Sequence, residues 1–131
     1  MELSLQQICS IYNTDKNNYH AYVDGMYEEL LKPYRYSAMN VLEIGVDSGA
    51  SVMMWKEYFN NANITCIDIK SCPQIENRKN IKHIIADAYC YETVDRFNPG
   101  TFDIIIEDGA HTLDTISFVA KEYVDKLTNN G

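Results

Sequence analysis

The sequence predicts one α/β domain in which a parallel β-sheet is covered by helices on both faces. Short apolar segments alternate along the chain with segments whose apolar residues recur at helical spacing. The short segments are apolar almost throughout, which is typical of strands buried on both faces. The chain has 131 residues and shows no internal repeat or linker, so a single domain with its own core is expected.

The first 36 residues are predicted to form a helical segment that precedes the sheet. Ser4 and Gln7 have the spacing of a capping box, so a helix should run from Leu5 to about Tyr12. Residues 13–19 are polar and are expected to form a loop. A second, amphipathic helix should begin near His20 and end at Pro33. Its apolar stripe consists of Val23, Met26, Tyr27, Leu30 and Leu31.

Strands and helices alternate over the rest of the chain, residues 37–131. A polar connection with a proline should join the second and third strands, and Asn98-Pro99-Gly100 should form a turn before the fourth. The predicted strands are Asn40–Val46, Ile64–Ile69, Ile81–Asp87 and Thr101–Glu107. The predicted helices are Ser51 to about Tyr58, Tyr91–Phe97 and Thr112–Leu127. The inward face of the last helix should consist of Leu113, Ile116, Ala120, Tyr123, Val124 and Leu127.

Composition disfavours several classes of function. The net charge is −8 and the pI is about 4.7, with scattered lysines and arginines, so a nucleic-acid partner is not expected. No apolar run approaches membrane-spanning length, and the acidic, polar N-terminus does not resemble a signal peptide. The four cysteines form no C-x-x-C or zinc-type spacing. A cytoplasmic protein with reduced thiols and no membrane partner is therefore predicted.

Acidic side chains stand at the carboxyl end of every predicted strand. Glu43 lies in the first strand, Asp68 ends the second, Asp87 ends the third, and Glu107-Asp108 end the fourth. His111 follows three residues later. Ligands of open α/β sheets bind beyond these strand ends, so a binding site is expected at this edge. Taken singly, each acid is more often a helix cap or a solvated loop residue, and Asp108 or Thr112 could serve only as a cap.

The chemistry of these residues favours a nucleoside ligand without phosphate. Gly45 and Gly49 allow close approach of the backbone, and Asp68 is placed to accept hydrogen bonds from ribose hydroxyls. Asp47 occupies the position at which a dinucleotide-binding loop has its middle glycine, and no Walker lysine is present. A phosphate beside these acids would be repelled. A nucleoside with positive charge, such as S-adenosylmethionine (SAM), fits better.

These motifs resemble those of the class I, Rossmann-like, SAM-dependent methyltransferases. V-L-E-I-G-V-D-S-G resembles their first motif, I-T-C-I-D-I the second and I-I-A-D-A the third. More narrowly, the chain is similar to the branch of the mycinamicin-type macrolide sugar O-methyltransferases and the cephalosporin-hydroxylase-like proteins. That likeness rests on Thr14-Asp15-Lys16 with His20 and Tyr22, on L-E-I-G-V-D-S-G-A-S with Trp55 downstream, and on E-D-G-A-H.

The resemblance implies a strand order of 3-2-1-4 and methyl transfer from SAM to a hydroxyl of a sugar or small metabolite. It makes His111 the general base and Asp108 a ligand of a divalent metal, usually Mg²⁺. It also makes residues 1–36 a cap or lid over the site, with Asp15, Lys16, His20 and Tyr22 facing it. The implied cofactor-binding residues are Glu43 at the ammonium group, Asp68 at the ribose, Asp87 and Ala88 at the adenine, and Gly45, Gly49 and Ser51 in the first loop.

The resemblance also implies a fifth strand and further acidic metal ligands that this sequence lacks, so residues 37–131 are read as an incomplete core with Asp108 as its one metal ligand. Three explanations are open: a fragment of a longer enzyme, a shortened protein that binds the cofactor without transfer, or a homo-oligomer that closes the sheet through the apolar strand-four edge. Two other functions are weighed against the enzyme. One is a non-catalytic SAM- or nucleoside-binding or oligomerisation module, and the other is a nicotinamide-dependent dehydrogenase.

Overall fold

A parallel sheet with helices on both faces forms the body of the protein. The computed structural model describes residues 2–14 and 26–131. The strand order is β3-β2-β1-β4 with every pairing parallel, which confirms the predicted fold class and order. The strands are β1 Asn40–Ile44, β2 Asn63–Asp68, β3 Ile81–Ile85 and β4 Ile104–Glu107.

Five α-helices and two 3₁₀ helices accompany the sheet in the described part of the chain. None of the helices described there has the length and apolar character needed to cross a membrane. The α-helices are α1 Leu5–Tyr12, α2 Glu28–Leu31, α3 Ala50–Tyr58, α4 Tyr91–Val94 and α5 Leu113–Glu122. The 3₁₀ helices are Lys32–Tyr34 and Val124–Lys126.

The sheet separates two apolar cores because successive residues of a strand point to opposite faces. Val41 and Leu42 illustrate this, since both are fully buried but lie in different cores. The first core joins the sheet to α1 and α3 and contains Leu5, Ile8, Val41, Trp55, Phe59 and Ile64. The second lies against α5 and contains Leu42, Ile67, Ile84, Phe102, Val119 and Tyr123.

The predicted capping box fixes the start of α1. The Ser4 hydroxyl accepts from the Gln7 N–H at 3.2 Å, and the Gln7 side chain accepts from the Ser4 N–H at 2.8 Å. At the other end Asn13 takes a left-handed conformation with φ 53°. The chain then turns so that the buried Thr14 lies beside Cys9, with 3.6 Å between the hydroxyl and the thiol. The end of α1 is thereby held against the core.

The predicted second helix is described only from Met26 onward. Its α-helical part ends at Leu31, and Pro33 lies in a 3₁₀ helix that continues from it. Met26 and Leu30 are exposed, so the predicted stripe is buried only in part, at Tyr27 and Leu31. Val23 and the four proposed lid residues, Asp15, Lys16, His20 and Tyr22, lie outside the described residues.

The last helix differs from its prediction. It ends at Glu122 rather than Leu127, and Val119 and Tyr123 are the residues that enter the core. The Tyr123 hydroxyl donates to the Ala88 carbonyl at 2.7 Å, which fixes the rotation of the helix. Four residues of the predicted inward face are exposed instead: Leu113, Ile116, Ala120 and Val124.

The outer edge of β4 is partly covered. Phe102, just before β4, forms a parallel bridge with Leu127. Its N–H donates to the Lys126 carbonyl and its carbonyl accepts from the Thr128 N–H, each at 2.8 Å. From Ile104 to Glu107, β4 pairs with β1 alone among the described strands. The predicted open edge is therefore present along β4 itself and closed at Phe102.

Candidate functional site

The loops after β1 and β4 touch at the carboxyl edge of the sheet. Gly45 follows β1 with φ 94°, and its N–H donates to the Ile67 carbonyl at 2.9 Å. Across from it, the Asp108 N–H donates to the Ile44 carbonyl at 2.8 Å. A Cβ on Gly45 would overlap the Asp108 carbonyl group. Position 45 therefore requires glycine for both its conformation and its contact.

Asp68 holds the loop after β1 in place. Its Oδ2 accepts from the N–H groups of Val46 at 2.9 Å and Asp47 at 3.4 Å, and its Oδ1 accepts from the Lys70 N–H at 3.1 Å. Partial burial would raise the pKa of this carboxyl, but the backbone donors together outweigh burial and lower its pKa below the usual value. Asp68 is therefore an ionised carboxylate, and part of its hydrogen-bonding capacity is used by backbone N–H groups of the loops after β1 and β2.

Ser51 and Glu43 form a buried pair behind that loop. α3 begins at Ala50 with Gly49, φ 85°, as its N-cap, so Ser51 lies inside the helix rather than at its predicted start. The Ser51 hydroxyl instead donates to Glu43 Oε1 at 2.7 Å. Glu43 is fully buried in β1 and does not line either pocket described below, whereas Ser51 lines one of them. A Cβ on Gly49 would crowd Cys72 and Ile75, so this glycine serves packing of the neighbouring segment.

A pocket of about 500 Å³ lies beyond the ends of β2 and β3, and we call it the β2 pocket. Apolar walls and carboxylates both line it. Ile69 is 68% exposed there although it directly follows a buried strand. Asp87 is exposed and accepts from the Tyr89 N–H at 2.8 Å, while Ala88 is buried. The lining includes Ile44, Gly45, Ile67, Asp68, Ile69, Asp87, Ala88, Tyr89 and Asp108.

A second pocket, of about 350 Å³, lies between the end of α1 and the end of β4, and we call it the β4 pocket. Its lining is mainly polar. It contains the loop 45–48, together with Asn13, Thr14, Ser51, Asp108, Gly109 and His111. Gly45, Val46, Asp47, Asp108 and Gly109 line both pockets. The contact between Gly45 and Asp108 is thus the wall between the two.

Asp108 and His111 are brought together in the β4 pocket. His111 Nε2 lies 3.3 Å from Asp108 Oδ1, and the imidazole is 65% exposed. The backbone of His111 takes a left-handed conformation, with φ 55°. The cap of α5 is Thr112, whose hydroxyl accepts from the Thr115 N–H at 3.1 Å. Asp108 and His111 are therefore not the residues that cap this helix.

A complete metal site is not formed by the residues that the structure describes. Over residues 2–14 and 26–131, no three histidine, cysteine or carboxylate side chains come together to hold a metal ion. Asp47 and Asp108 are the carboxylates that line the β4 pocket, whereas Mg²⁺ prefers six oxygen ligands at regular geometry. The sequence prediction of Asp108 as a single metal ligand stays a prediction.

Tyr89 was not anticipated from the sequence as a site residue. Its hydroxyl donates to Glu107 Oε1 at 2.7 Å and accepts from the Ala110 N–H at 3.1 Å. Glu107 Oε1 also accepts from the Gly109 N–H at 3.0 Å. The sequence did offer one signal, because Tyr89 directly follows Asp87-Ala88 at the end of the predicted third strand. It gave no indication that the Tyr89 hydroxyl bonds to Glu107, 18 residues further along the chain.

The chain is similar in sequence to curated O-methyltransferases. No family model matches the chain. It is 32% identical over 116 residues to mycinamicin VI 2''-O-methyltransferase of Micromonospora griseorubida, covering 82% of this chain and 29% of that protein. It is 31% identical over 111 residues to 8-demethyl-8-alpha-L-rhamnosyl tetracenomycin-C 2'-O-methyltransferase of Streptomyces olivaceus, covering 76% of this chain and 28% of that protein.

A solved structure of the same type has a similar fold. MycE methyltransferase, in complex with Mg, SAH and mycinamycin VI, superposes with a TM-score of 0.80 at 28% identity. The match covers 95% of this chain and 36% of MycE, so the chain spans about a third of the length of these relatives. Over the part it spans, the chain is similar in sequence and in its Rossmann-like fold to the mycinamicin-type sugar O-methyltransferases.

Proposed function

We propose that this chain belongs to an S-adenosylmethionine-dependent O-methyltransferase that acts on a hydroxyl of a sugar or small metabolite. The observation that carries the proposal is the shared wall at Gly45 and Asp108. Groups suited to a nucleoside lie on one side of it, and a carboxylate–imidazole pair lies on the other. Methyl transfer requires two sites that adjoin, because the methyl donor and the attacking hydroxyl must meet in line at the boundary between them.

The β2 pocket is the proposed site of the adenosine moiety. Ile69 and Ala88 offer apolar surface to a purine ring, and Asp87 offers acceptors to its amino group. Asp68 has lone pairs left for ribose hydroxyls even while it accepts three backbone hydrogen bonds. Asp47 and Asp68 together favour a ligand with positive charge over one with phosphates. The sulfonium and ammonium groups of SAM provide that charge.

In the β4 pocket, His111 is the proposed general base. The bound cofactor supplies a methyl group made electrophilic by its sulfonium sulfur. An acceptor hydroxyl beside His111 would lose its proton to the imidazole as its oxygen bonds to the methyl carbon, and the electrons of the sulfur–carbon bond would return to sulfur. Asp108 lies beside the nitrogen of His111 and faces the positive charge that the ring then carries.

The proposal is tested by calorimetric titration of the chain with S-adenosylhomocysteine, followed by transfer of a labelled methyl group from SAM to sugar-bearing acceptors. We expect a dissociation constant in the micromolar range, about −8 kcal/mol. His111→Ala should keep that affinity within about twofold and abolish transfer. A folded chain without measurable affinity would overturn the proposal, and His111→Ala with full turnover would overturn the role of His111 as base.

The same titration separates the enzyme from the alternative, a SAM-binding module without activity, because a module would bind the cofactor and give no labelled product.

A cytoplasmic location belongs to the proposal and is supported by four free thiols, which reducing compartments preserve. The division into a helical cap over residues 1–36 and a core over residues 37–131 also belongs to it. If residues 1–36 form a cap, ligand binding should protect the chain from proteolysis at residues 13 and 14, which line the β4 pocket.

A second copy of the chain is proposed to pair along the β4 edge. Ile104–Glu107 pairs on one side only among the described strands, and its residues are largely apolar. Unpaired apolar edges associate readily, and a twofold axis would join two sheets antiparallel at the seam. Light scattering at increasing concentration is expected to show a dimer. A monomeric mass at all concentrations would refute the pairing.

A further inference from the structure

We infer that Tyr89 is a positioning residue for the loop that carries Asp108 and His111. This inference rests on the proposed function, because it assigns Tyr89 a part in methyl transfer through those two side chains. Tyr89 itself belongs to the β2 pocket and does not line the β4 pocket. It acts on the transfer step only through the loop of residues 107–111.

The hydroxyl of Tyr89 is the centre of a hydrogen-bonded latch that closes this loop. It donates to Glu107 Oε1 at 2.7 Å and accepts from the Ala110 N–H at 3.1 Å. The same Glu107 oxygen accepts from the Gly109 N–H at 3.0 Å. Two consecutive backbone N–H groups of the loop are thus held by one tyrosine–carboxylate pair. We call these four residues the Tyr89 latch.

The latch brackets Asp108 and directly precedes His111. Glu107 is the last residue of β4, and Ala110 is the residue before the histidine. The latch fixes the residues on either side of Asp108, and Asp108 itself is fixed by the hydrogen bond from its N–H to the Ile44 carbonyl. The conformation that places His111 Nε2 3.3 Å from Asp108 Oδ1 therefore depends on the Tyr89 hydroxyl.

Close packing at Gly109 shows that the latch leaves little room. A Cβ built on Gly109 would overlap the Tyr89 hydroxyl, although the backbone conformation there is one that other residues adopt. The Tyr89 ring also makes an edge contact with Phe118 of α5, with 6.5 Å between ring centroids. Partial burial, with the Glu107 carboxylate adding to it, raises the pKa of Tyr89 to about 12. The hydroxyl thus keeps its proton at neutral pH and can donate it.

Tyr89 also connects the latch to the β2 pocket. It lines that pocket next to Asp87 and Ala88, and its N–H donates to Asp87 Oδ1 at 2.8 Å. A ligand in the β2 pocket therefore lies against the same residue that shapes the loop of the β4 pocket. The role differs from binding, since the hydroxyl is engaged by Glu107 and Ala110 rather than directed at a ligand.

The test is Tyr89→Phe, with Tyr91→Phe as the matched control. Tyr91 packs against the same Phe118 ring, at 5.7 Å between centroids, and is exposed. Amide hydrogen exchange measured by NMR should accelerate at least fivefold at Ala110 in Tyr89→Phe and stay within twofold in Tyr91→Phe. The affinity for S-adenosylhomocysteine should stay within twofold in both. The rate of methyl transfer should fall at least tenfold in Tyr89→Phe alone, with the KM for SAM unchanged.

Glu107 provides the second pair of variants. Glu107→Gln keeps an oxygen acceptor in place and should preserve exchange at Gly109 and Ala110, whereas Glu107→Ala should accelerate both. Unchanged exchange at Ala110 in Tyr89→Phe would overturn the latch, whatever the activity. A parallel loss of cofactor affinity and rate with normal exchange would make Tyr89 a binding residue and overturn it too. A wild-type chain without transfer contradicts the proposed function, and the exchange measurements still decide the latch.

Discussion

Replacement of Gly45 by alanine is expected to damage the fold and the site together. The residue has φ 94°, and a Cβ there would overlap the Asp108 carbonyl. A side chain in the positive-φ region costs about 1–2 kcal/mol. Displacement of the Asp108 backbone adds roughly 1–3 kcal/mol, the usual cost of overpacking. The free energy of unfolding should therefore fall by about 2–5 kcal/mol, with a drop in Tm of roughly 10–20 °C.

Gly100 supplies a control that separates these two costs. Its φ is 69°, and a Cβ there would have no neighbour within 4 Å. Gly100→Ala should cost only the conformational strain, about 1–2 kcal/mol. Urea unfolding of both variants measures the difference, and titration with S-adenosylhomocysteine should show weakened binding for Gly45→Ala alone. Equal destabilisation in the two variants would refute the claim that contact with Asp108 makes glycine necessary at position 45.

Two further predictions concern ionisation. The lowered pKa of Asp68 means that its stabilisation is complete above the unfolded value near 3.8 and is lost as pH falls through the folded pKa. The stability difference between wild type and Asp68→Asn in urea should thus shrink from pH 7 to pH 3, and a constant difference would contradict the assignment. Burial raises the pKa of Cys66 to about 12, so iodoacetamide at pH 7.5 should label the less buried Cys90 and leave Cys66 unmodified in the folded chain. Peptide mass spectrometry measures the labelling of each cysteine. If Cys66 is labelled as fast as Cys90, the Cys66 thiol is not buried in the native state.

The sheet was predictable because its signals are local. Four short apolar segments with intervening helices give parallel strands, and the order β3-β2-β1-β4 followed from the resemblance of the motifs. The capping box at Ser4 was predictable for the same reason, since its partners are three residues apart. The inward face of α5 was not. Periodicity shows which residues share a face, but Phe118, Val119 and Tyr123 meet the core because a distant carbonyl, that of Ala88, binds the Tyr123 hydroxyl.

The candidate site was predictable in position and less so in detail. Strand ends converge in any parallel sheet, so the meeting of Asp68, Asp87 and Asp108 around two adjoining pockets follows from topology. Hydrogen bonds across loops follow from three-dimensional distances instead. The sequence alone therefore did not show that the Ser51 hydroxyl donates to Glu43, or that the Tyr89 hydroxyl donates to Glu107.

Asp47 bears on which class of cofactor the loop after β1 can accept. It takes a left-handed conformation, with φ 48°, at the position where dinucleotide-binding loops have a glycine. The path of the backbone is therefore one that a phosphate-binding loop could share, and the carboxylate is what differs. Discrimination against phosphorylated cofactors at this loop is then a matter of charge rather than of shape. Asp47→Gly would keep this backbone path and remove one of the two carboxylates that disfavour a phosphate here, while Asp68 would remain.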